Sequence, residues 1–541
     1  MTSAQQSPES STTLYRGGRV YSPGSPWATA FLVEDGRIAW IGSEDAAAGF
    51  SAERIVDLAD ALVTPAFVDA HVHATSTGLN LTGLDLTGSL TLASALDAVA
   101  AHAAAQPGAP LLGHGWDQTD WPEGRPPTAA ELDRAAGGAQ VYLSRIDKHS
   151  AVVSSALMAA APDLAGLAGY RADGHLTIDA HHAVRALALA TVPAAQRAAA
   201  QRATLARAAA LGIGSVHECG GPQIAGEDDF TGLLAIAGTE PGPEVFGYWG
   251  ELLGAAKAKE LGAVGAGGDL FVDGALGSRT ACLHTAYADG PAGGTGHRYL
   301  DAEQIAAHLS DCATHGMQGG FHAIGDAALT GVLDGFGKAA AQVGLDRVRA
   351  ARHRIEHAEM LDATVIKRMV EFGAVASVQP AFDAAWGGET GMYAQRLGVE
   401  RALTLNPFGP LAGVGVPLAF GSDSPVTPID PWGTVRAAAH HRNPHHAISV
   451  RAAFAAHTRG GWRAVGRDDE GVLAPGAPAT FAVWAADEVV VQAPDERVSR
   501  WSTDPRGAVP GLPDLGPGAP LPTCLRTVVR GHTIFNVEGT P

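Results

Sequence analysis

Short runs of alternating apolar and polar residues fill the start of the chain and return near its end. RGGRVYS (16–22), TAFLVEDGRIAWIG (29–42) and RIVDLADALVTP (54–65) read as strands, with Asp35-Gly36 as a hairpin turn. GAPATFAVWA (476–485), EVVVQA (488–493) and LRTVVRGHTIFNV (525–537) read the same way, with Arg530-Gly531 near a turn. Strands at both ends, and a different pattern between them, predict one small β-sandwich domain built from both termini.

Between about 65 and 470 the period switches back and forth between two and 3.6 residues. Thr128 and Glu131 form a capping box after a Pro pair. An Ala- and Arg-rich helix over 194–211 stops at Gly212, and strand GIGSVHE follows. Asp301 with Gln304 opens a helix whose apolar face is Ile305, Leu309 and Cys312; Gly316 closes it before strand QGGFHA. Asp362 opens VIKRMVEF, Gly373 ends it, and AVASVQP is the next strand. Repeated βα units predict a parallel sheet covered by helices. The length favours a closed (β/α)8 TIM barrel over an open sheet, since elaborated barrels run from ~250 to over 400 residues. The expected domains are 1–64 and 471–541 for the sandwich and 65–470 for the barrel. Nine strands are predicted there: 62–68, 110–114, 140–145, 213–218, 269–272, 318–322, 353–357, 374–379 and 417–421. That is one more than eight, and 110–114 is the one expected outside the barrel.

The histidines fall at strand ends. In TPAFVDAHVHAT (64–75), alternation puts His71 and His73 on one face. Two adjacent imidazoles are poor core filler and a good pair of metal ligands. His322 ends QGGFHA, His357 ends HRIEH and Asp423 ends PLAFGSD. The C-terminal strand ends of a TIM barrel carry its active face. Four imidazoles and a carboxylate reaching that face from four strands predict a site for a divalent metal, with zinc the expected ion.

Bulk properties narrow the class. The 541 residues carry a formal net charge of −19 and are 46% hydrophobic. The acidic residues are scattered, which disfavours nucleic-acid and anionic-membrane partners. Four cysteines with no CxxC pair fit a reducing compartment. The first residues, MTSAQQSPESSTT, have no apolar leader core, and no apolar run is long enough to span a bilayer. The expectation is a cytoplasmic enzyme acting on a small molecule, with a homodimer as its assembly.

The strand-end set, together with GHGWDQTDWPEGRPPT (113–128), SRIDKHSAVVSS (144–155), LFVDGALGSRTA (270–281), GFHAIGDAA (320–328), RIEHAE (354–359) and GSDSPV (421–426), resembles the amidohydrolase superfamily. More narrowly it resembles amidohydrolase family 3, the group of N-substituted formamide deformylase and N-acyl-D-amino-acid deacylase relatives. The resemblance implies a metal-bearing barrel with a terminal β-sandwich. It makes His71 and His73 first-strand ligands, His322 and His357 the fifth- and sixth-strand histidines, and Asp423 the eighth-strand acid. It makes 213–218 the third strand and 269–272 the fourth. Many superfamily members carry a bridging lysine on the fourth strand; Asp269 stands there here, and Lys148 stands where relatives often have glycine. Glu218 offers a further carboxylate ligand. One ion is expected, with two as the alternative and Lys148 as a less favoured bridge.

The implied reaction is hydrolysis of a C–N bond in an amide, formamide or cyclic amide by metal-activated hydroxide, with Asp423 shuttling the proton. His357, if not a ligand, would stabilise the oxyanion. Trp116 and Asp117 in the Trp-rich loop, His149 and Arg279 are candidate substrate contacts. Deamination of a heterocyclic amine on the same site is the rival within the class. A binding or regulatory protein that kept the barrel is the rival outside it.

Overall fold

Phe67–Val72, Ile213–Gly220, Glu244–Trp249, Gly265–Ala266, Gln318–Ala323, Arg354–His357, Val375–Val378 and Leu418–Phe420 pair in that order into one eight-stranded parallel sheet. A parallel bridge from Val72 to Ser424 joins the eighth strand back to the first. The computed structural model describes residues 12–290, 293–487, 489–490 and 510–537. Residues 1–11 of the polar N-terminal segment and 491–493 of EVVVQA lie outside the described residues.

The barrel is held from outside by helices whose ends follow the sequence signals. Asp301 and Gln304 form a reciprocal capping box on helix Ala302–His315, and Asp362 accepts from the Val365 amide at the start of Ala363–Phe372. Gly316 and Gly373 end these two helices at φ 65° each, in the left-handed region where a Cβ is unwelcome. Close approach also selects glycine between strands. A Cβ on Gly267 would lie 2.2 Å from the Gly320 amide nitrogen, where the fourth and fifth strands meet below the site.

The strands differ from the sequence reading in four ways, the first being that Gly265–Ala266 is the fourth barrel strand and 269–272 follows it, joined to the fifth by a Phe271–His322 bridge. Residues 62–68 divide: Leu62–Pro65 belongs to a terminal sheet, and only Phe67 onward enters the barrel. Both 110–114 and 140–145 lie outside the barrel. Leu111–Trp116 and Val141–Arg145 pair parallel in a separate five-stranded sheet inserted between the first and second barrel strands. Glu244–Trp249 is the third barrel strand, so 213–220 is the second. The reason is physical: helix Leu92–Ala105 precedes Leu111–Trp116, and helix Ala129–Ala135 connects it to Val141–Arg145, so the insertion has the local pattern of barrel βα units. Glu244–Trp249 contains a glycine and follows Pro-Gly-Pro, and its place in the barrel rests on pairing with residues distant in sequence.

Chain ends meet in two sheets. Thr12–Arg16 lies between Ala30–Glu34 and Arg54–Asp57 in one; Leu62–Pro65, Phe481–Ala485, Thr523–Val529 and His532–Asn536 run through the other. Tyr15, Phe31, Ile38, Val63, Phe481 and Val528 share the core between them, with Tyr15 and Phe31 stacked at 4.7 Å. The two tight turns, Asp35-Gly36 and Arg530-Gly531, have positive φ at both positions. Trp484 docks the sandwich on the barrel: its ring abuts Gly212, and its Nε1 donates to Thr64 at 2.9 Å.

Candidate metal centre and active site

Along the first strand Asp69, His71 and His73 face the barrel axis, while Val68 and Val72 pack outward. His71 is fully buried. Its Nδ1 meets Glu356 Oε2 at 2.9 Å, and Glu356 is gripped by Arg354 through Nε at 2.8 Å and Nη2 at 3.1 Å. Arg354 also donates to the Ala70 carbonyl and to Ser377, and lies over the Tyr248 ring at 4.3 Å. This buried chain fixes the imidazole proton on Nδ1 and leaves Nε2 facing the mouth. A carboxylate behind a histidine in this way raises its basicity as a ligand. Asp69 ties the first strand to the eighth, accepting from the Ser422 amide at 2.9 Å and its hydroxyl at 2.6 Å.

At the mouth six side chains converge. His73 Nε2 is 3.1 Å from Asp269 Oδ2 and 3.2 Å from Asp423 Oδ1. His71 Nε2 is 3.5 Å from Asp269 Oδ1 and 3.4 Å from Asp423 Oδ1. His357 Nε2 is 3.6 Å from Asp269 Oδ1, and its Nδ1 meets Gln379 Oε1 at 2.9 Å. The His322 and His357 rings are 4.4 Å apart. His71, His357 and Asp423, then His71, His73 and Asp269, then Asp269, His322 and His357, each offer ligand atoms within 4.8 Å of one another. His71, Cys219 and Glu356 form a further such group deeper in the barrel.

Backbone strain accompanies the site. His357 and Asp423 have φ of 70° and 53°, a region costly for residues with a Cβ. In RIEH, alternation alone would point Glu356 and His357 to opposite faces. The left-handed step at His357 breaks it, so both reach His71. Asp423 is held at its turn by its amide, which donates to the His71 carbonyl at 2.8 Å.

Several donors lack any partner of their own. His71 Nε2, Asp269 Oδ1 and His322 Nδ1 are buried with no hydrogen bond. Burial opposes charge on His73, yet hydrogen bonds from Asp269 and Asp423 outweigh it and push its pKa up to about 9. Burial likewise opposes charge on Asp269, but His71, His357 and His73 hold its carboxyl well below the usual range. Burial and the neighbouring His357 push His322 down to about 3. Orphaned nitrogen and oxygen donors around a pair of carboxylates fit a divalent cation.

The other candidates scatter. Glu218 turns away from this group: its Oε2 accepts from the Ala74 amide at 2.7 Å, at the start of helix Ala74–Thr82. His217 and Cys219 take the inward positions on that strand, His217 bonding Arg354 at 2.9 Å. Trp116 is fully buried in the inserted sheet, its Nε1 donating to the Leu143 carbonyl. Asp117 pairs with Arg145 at 2.5 Å on the rim of a separate cavity of about 880 Å³ that Arg442 and Asn443 also line. Arg279 pairs with Asp289 at 2.7 Å. His149 does reach the site, its ring 4.9 Å from His322 and 5.4 Å from Phe271. Lys148, at φ 59°, lines a small cavity at the mouth with His73, Asp269, His322, His357 and Asp423, and donates to Ser144 at 3.0 Å. Arg354, Glu356 and Gln379 were missed. The i, i+2 Arg-Glu pair inside a strand ending in histidine was the one available signal.

A parallel barrel whose C-terminal mouth gathers imidazoles and carboxylates defines a hydrolase with candidate metal-binding groups. Residues 54–535 match the model of the amidohydrolase family, and the chain belongs to that family. It is 29% identical over 519 residues to Protein LONG AFTER FAR-RED 3 of Arabidopsis thaliana, covering 87% of this chain and 86% of that one. Two solved structures are similar to it, each described as an uncharacterized metal-dependent hydrolase. The one from Pyrococcus furiosus has a TM-score of 0.66 and 26% identity, covering 87% of this chain and 98% of its own. The one from Pyrococcus horikoshii has a TM-score of 0.69 and 25% identity, covering 88% and 98%.

Proposed function

We propose that this chain hydrolyses the C–N bond of an amide, formamide or cyclic amide, with Asp423 carrying the proton. The supporting observation is the set of four imidazoles and two carboxylates at the barrel mouth with buried, unpartnered donor atoms. Ligands drawn from His71, His73, His322, His357, Asp269 and Asp423 would hold one divalent ion with a position left open, zinc by their nitrogen-rich character. Bound there, such an ion supplies Lewis acidity, polarising a carbonyl and lowering the pKa of water toward ~7.

The protein's own groups do the rest. Asp423 accepts a proton from the attacking water and returns it to the departing nitrogen, so one carboxylate is restored within each turnover. Water's oxygen joins the carbonyl carbon, the C–N bond breaks, and both of water's protons leave on the amine. Gln379 holds the His357 ring through Nδ1 and aims its Nε2 at the reacting centre, where it either ligates the ion or, outside the coordination sphere, stabilises developing negative charge. We take the division into 1–64, 65–470 and 471–541, the cytoplasmic location and a homodimer as parts of the same reading. The absence, among the described residues, of any helix long and apolar enough to cross a membrane accords with it.

Screening N-formyl and N-acyl compounds with zinc-loaded protein tests the reading. Asp423→Asn should keep metal content and lose ~10²–10⁴ in kcat. Full turnover in that variant, or none by the zinc-loaded wild type on any C–N substrate, would refute the mechanism.

A further inference from the structure

Five arginines are buried among the described residues. Arg145 pairs with Asp117 and Asp147, Arg354 with Glu356, and Arg396 with Asp289; Arg526 donates to Asn536. Arg185 is 7% exposed and has neither hydrogen bond nor ion pair among the described residues. It projects from helix Ile178–Ala190 into the cavity that His73, Asp269, His322, His357 and Asp423 line. Lys148, His181 and His182 lie beside it, with Tyr142 also near, and Asp147, Asp269 and Asp423 line the same cavity without forming an ion pair with it. Burial and Arg185 itself keep both histidines largely neutral. Lys148 has a hydroxyl, Ser144 Oγ, as its hydrogen-bond acceptor at 3.0 Å.

A buried guanidinium without an anion is costly. Burial and Arg185 push the pKa of Lys148 well down, so the guanidinium is the fixed charge here, and keeping it unpaired is unfavourable unless a ligand brings an anion into contact with it. The helix presenting Arg185 is anchored nearby, with His181 Nε2 3.0 Å from the Tyr142 hydroxyl. The cavity itself is about 20 Å³ and shares Ser76 and Ile224 with an adjoining cleft of about 400 Å³. A planar carboxylate matches the fork of a guanidinium and the small space better than a tetrahedral anion does.

We propose that Arg185 and Lys148 form a carboxylate subsite, so that the substrate is an amide carrying a carboxylate within a few bonds of its scissile C–N bond. This rests on the hydrolase reading for the reaction, but not for the binding. Calorimetric titration of zinc-loaded protein with N-formyl and N-acetyl amino acids, their methyl esters and the matching phosphonates tests it, with hydrolysis followed in parallel. The acids should bind at least ~10-fold tighter than the esters. Arg185→Met should lose ~10–100-fold on the acids and under ~3-fold on the esters, with Arg185→Lys between. If Arg185→Met does not fold, Arg185→Lys and Lys148→Met carry the comparison. Equal binding of acids and esters, an Arg185→Met or Lys148→Met loss that is the same for both, or tighter binding of the phosphonates would overturn the carboxylate subsite. Acids preferred without hydrolysis would leave the subsite standing and remove the hydrolase reading; hydrolysis indifferent to the carboxylate would do the reverse.

Discussion

The behaviour of His71 rests on a residue it does not share a strand with. Glu356 holds the proton on its Nδ1, and Arg354 holds Glu356, so the outward nitrogen is set by three buried side chains from two strands. Removing the negative charge while keeping the shape should therefore weaken the metal site without emptying it. Glu356→Gln is expected to lower metal affinity ~10–100-fold, read by competition with a chromophoric chelator. Unchanged affinity would mean that the pair behind His71 serves packing alone. Much of this site was legible in the chain. His71 and His73 could be placed because a strand alternates faces, and His322 and Asp423 because they end apolar runs. Glu356 and Arg354 could not, since the left-handed step at His357 that lets both faces of RIEH serve one site is invisible to periodicity. Glu218 misled because it ends the run GIGSVHE, yet His217 and Cys219 take the inward positions and its carboxylate accepts from the Ala74 amide at a helix start instead.

Helices and strands were read most reliably where a local side chain marks their ends. Helix Ala129–Ala135 is an example. Thr128 and Glu131 cap each other, and Arg125 grips the same glutamate at 2.7 Å. The hydrogen bond from Arg125 lowers the Glu131 pKa from 4.5 to about 2. A carboxyl depressed on folding stabilises above its unfolded pKa, and that contribution disappears as pH falls through its folded value. Arg125 is half exposed, so solvent screens the ion pair and the cap carries most of the effect. Glu131→Gln keeps a capping oxygen and loses the charge, so it should cost ~0.5 kcal/mol of local stability at neutral pH. The cost should shrink below pH 4.5 and vanish near pH 2, read as the difference in amide exchange of this helix between wild type and variant. A pH-independent difference would contradict the assignment. Which sheet a strand joins was not legible. The inserted sheet repeats the βα pattern of the barrel, and only long-range pairing separates Leu111–Trp116 from Glu244–Trp249.

At the scale of the molecule, the insertion and the barrel together make the site. Barrel strands supply the six converging donors, while Lys148, His149 and Arg185 come from the inserted segment that walls the cavity. That cavity, about 20 Å³, has room for about one water, so admitting a substrate requires the wall to move. The terminal sandwich stands at the other end, docked through Trp484 on Gly212, and among the described residues contributes no side chain to the mouth cavity. The central claim is that the six mouth side chains bind a divalent cation, and anomalous diffraction at the zinc edge from crystals of the zinc-loaded protein tests it most directly. The account predicts a peak about 2.0–2.2 Å from nitrogen and oxygen atoms of three or more of His71, His73, His322, His357, Asp269 and Asp423. A map with no peak among those side chains, or with zinc bound only elsewhere, would contradict it.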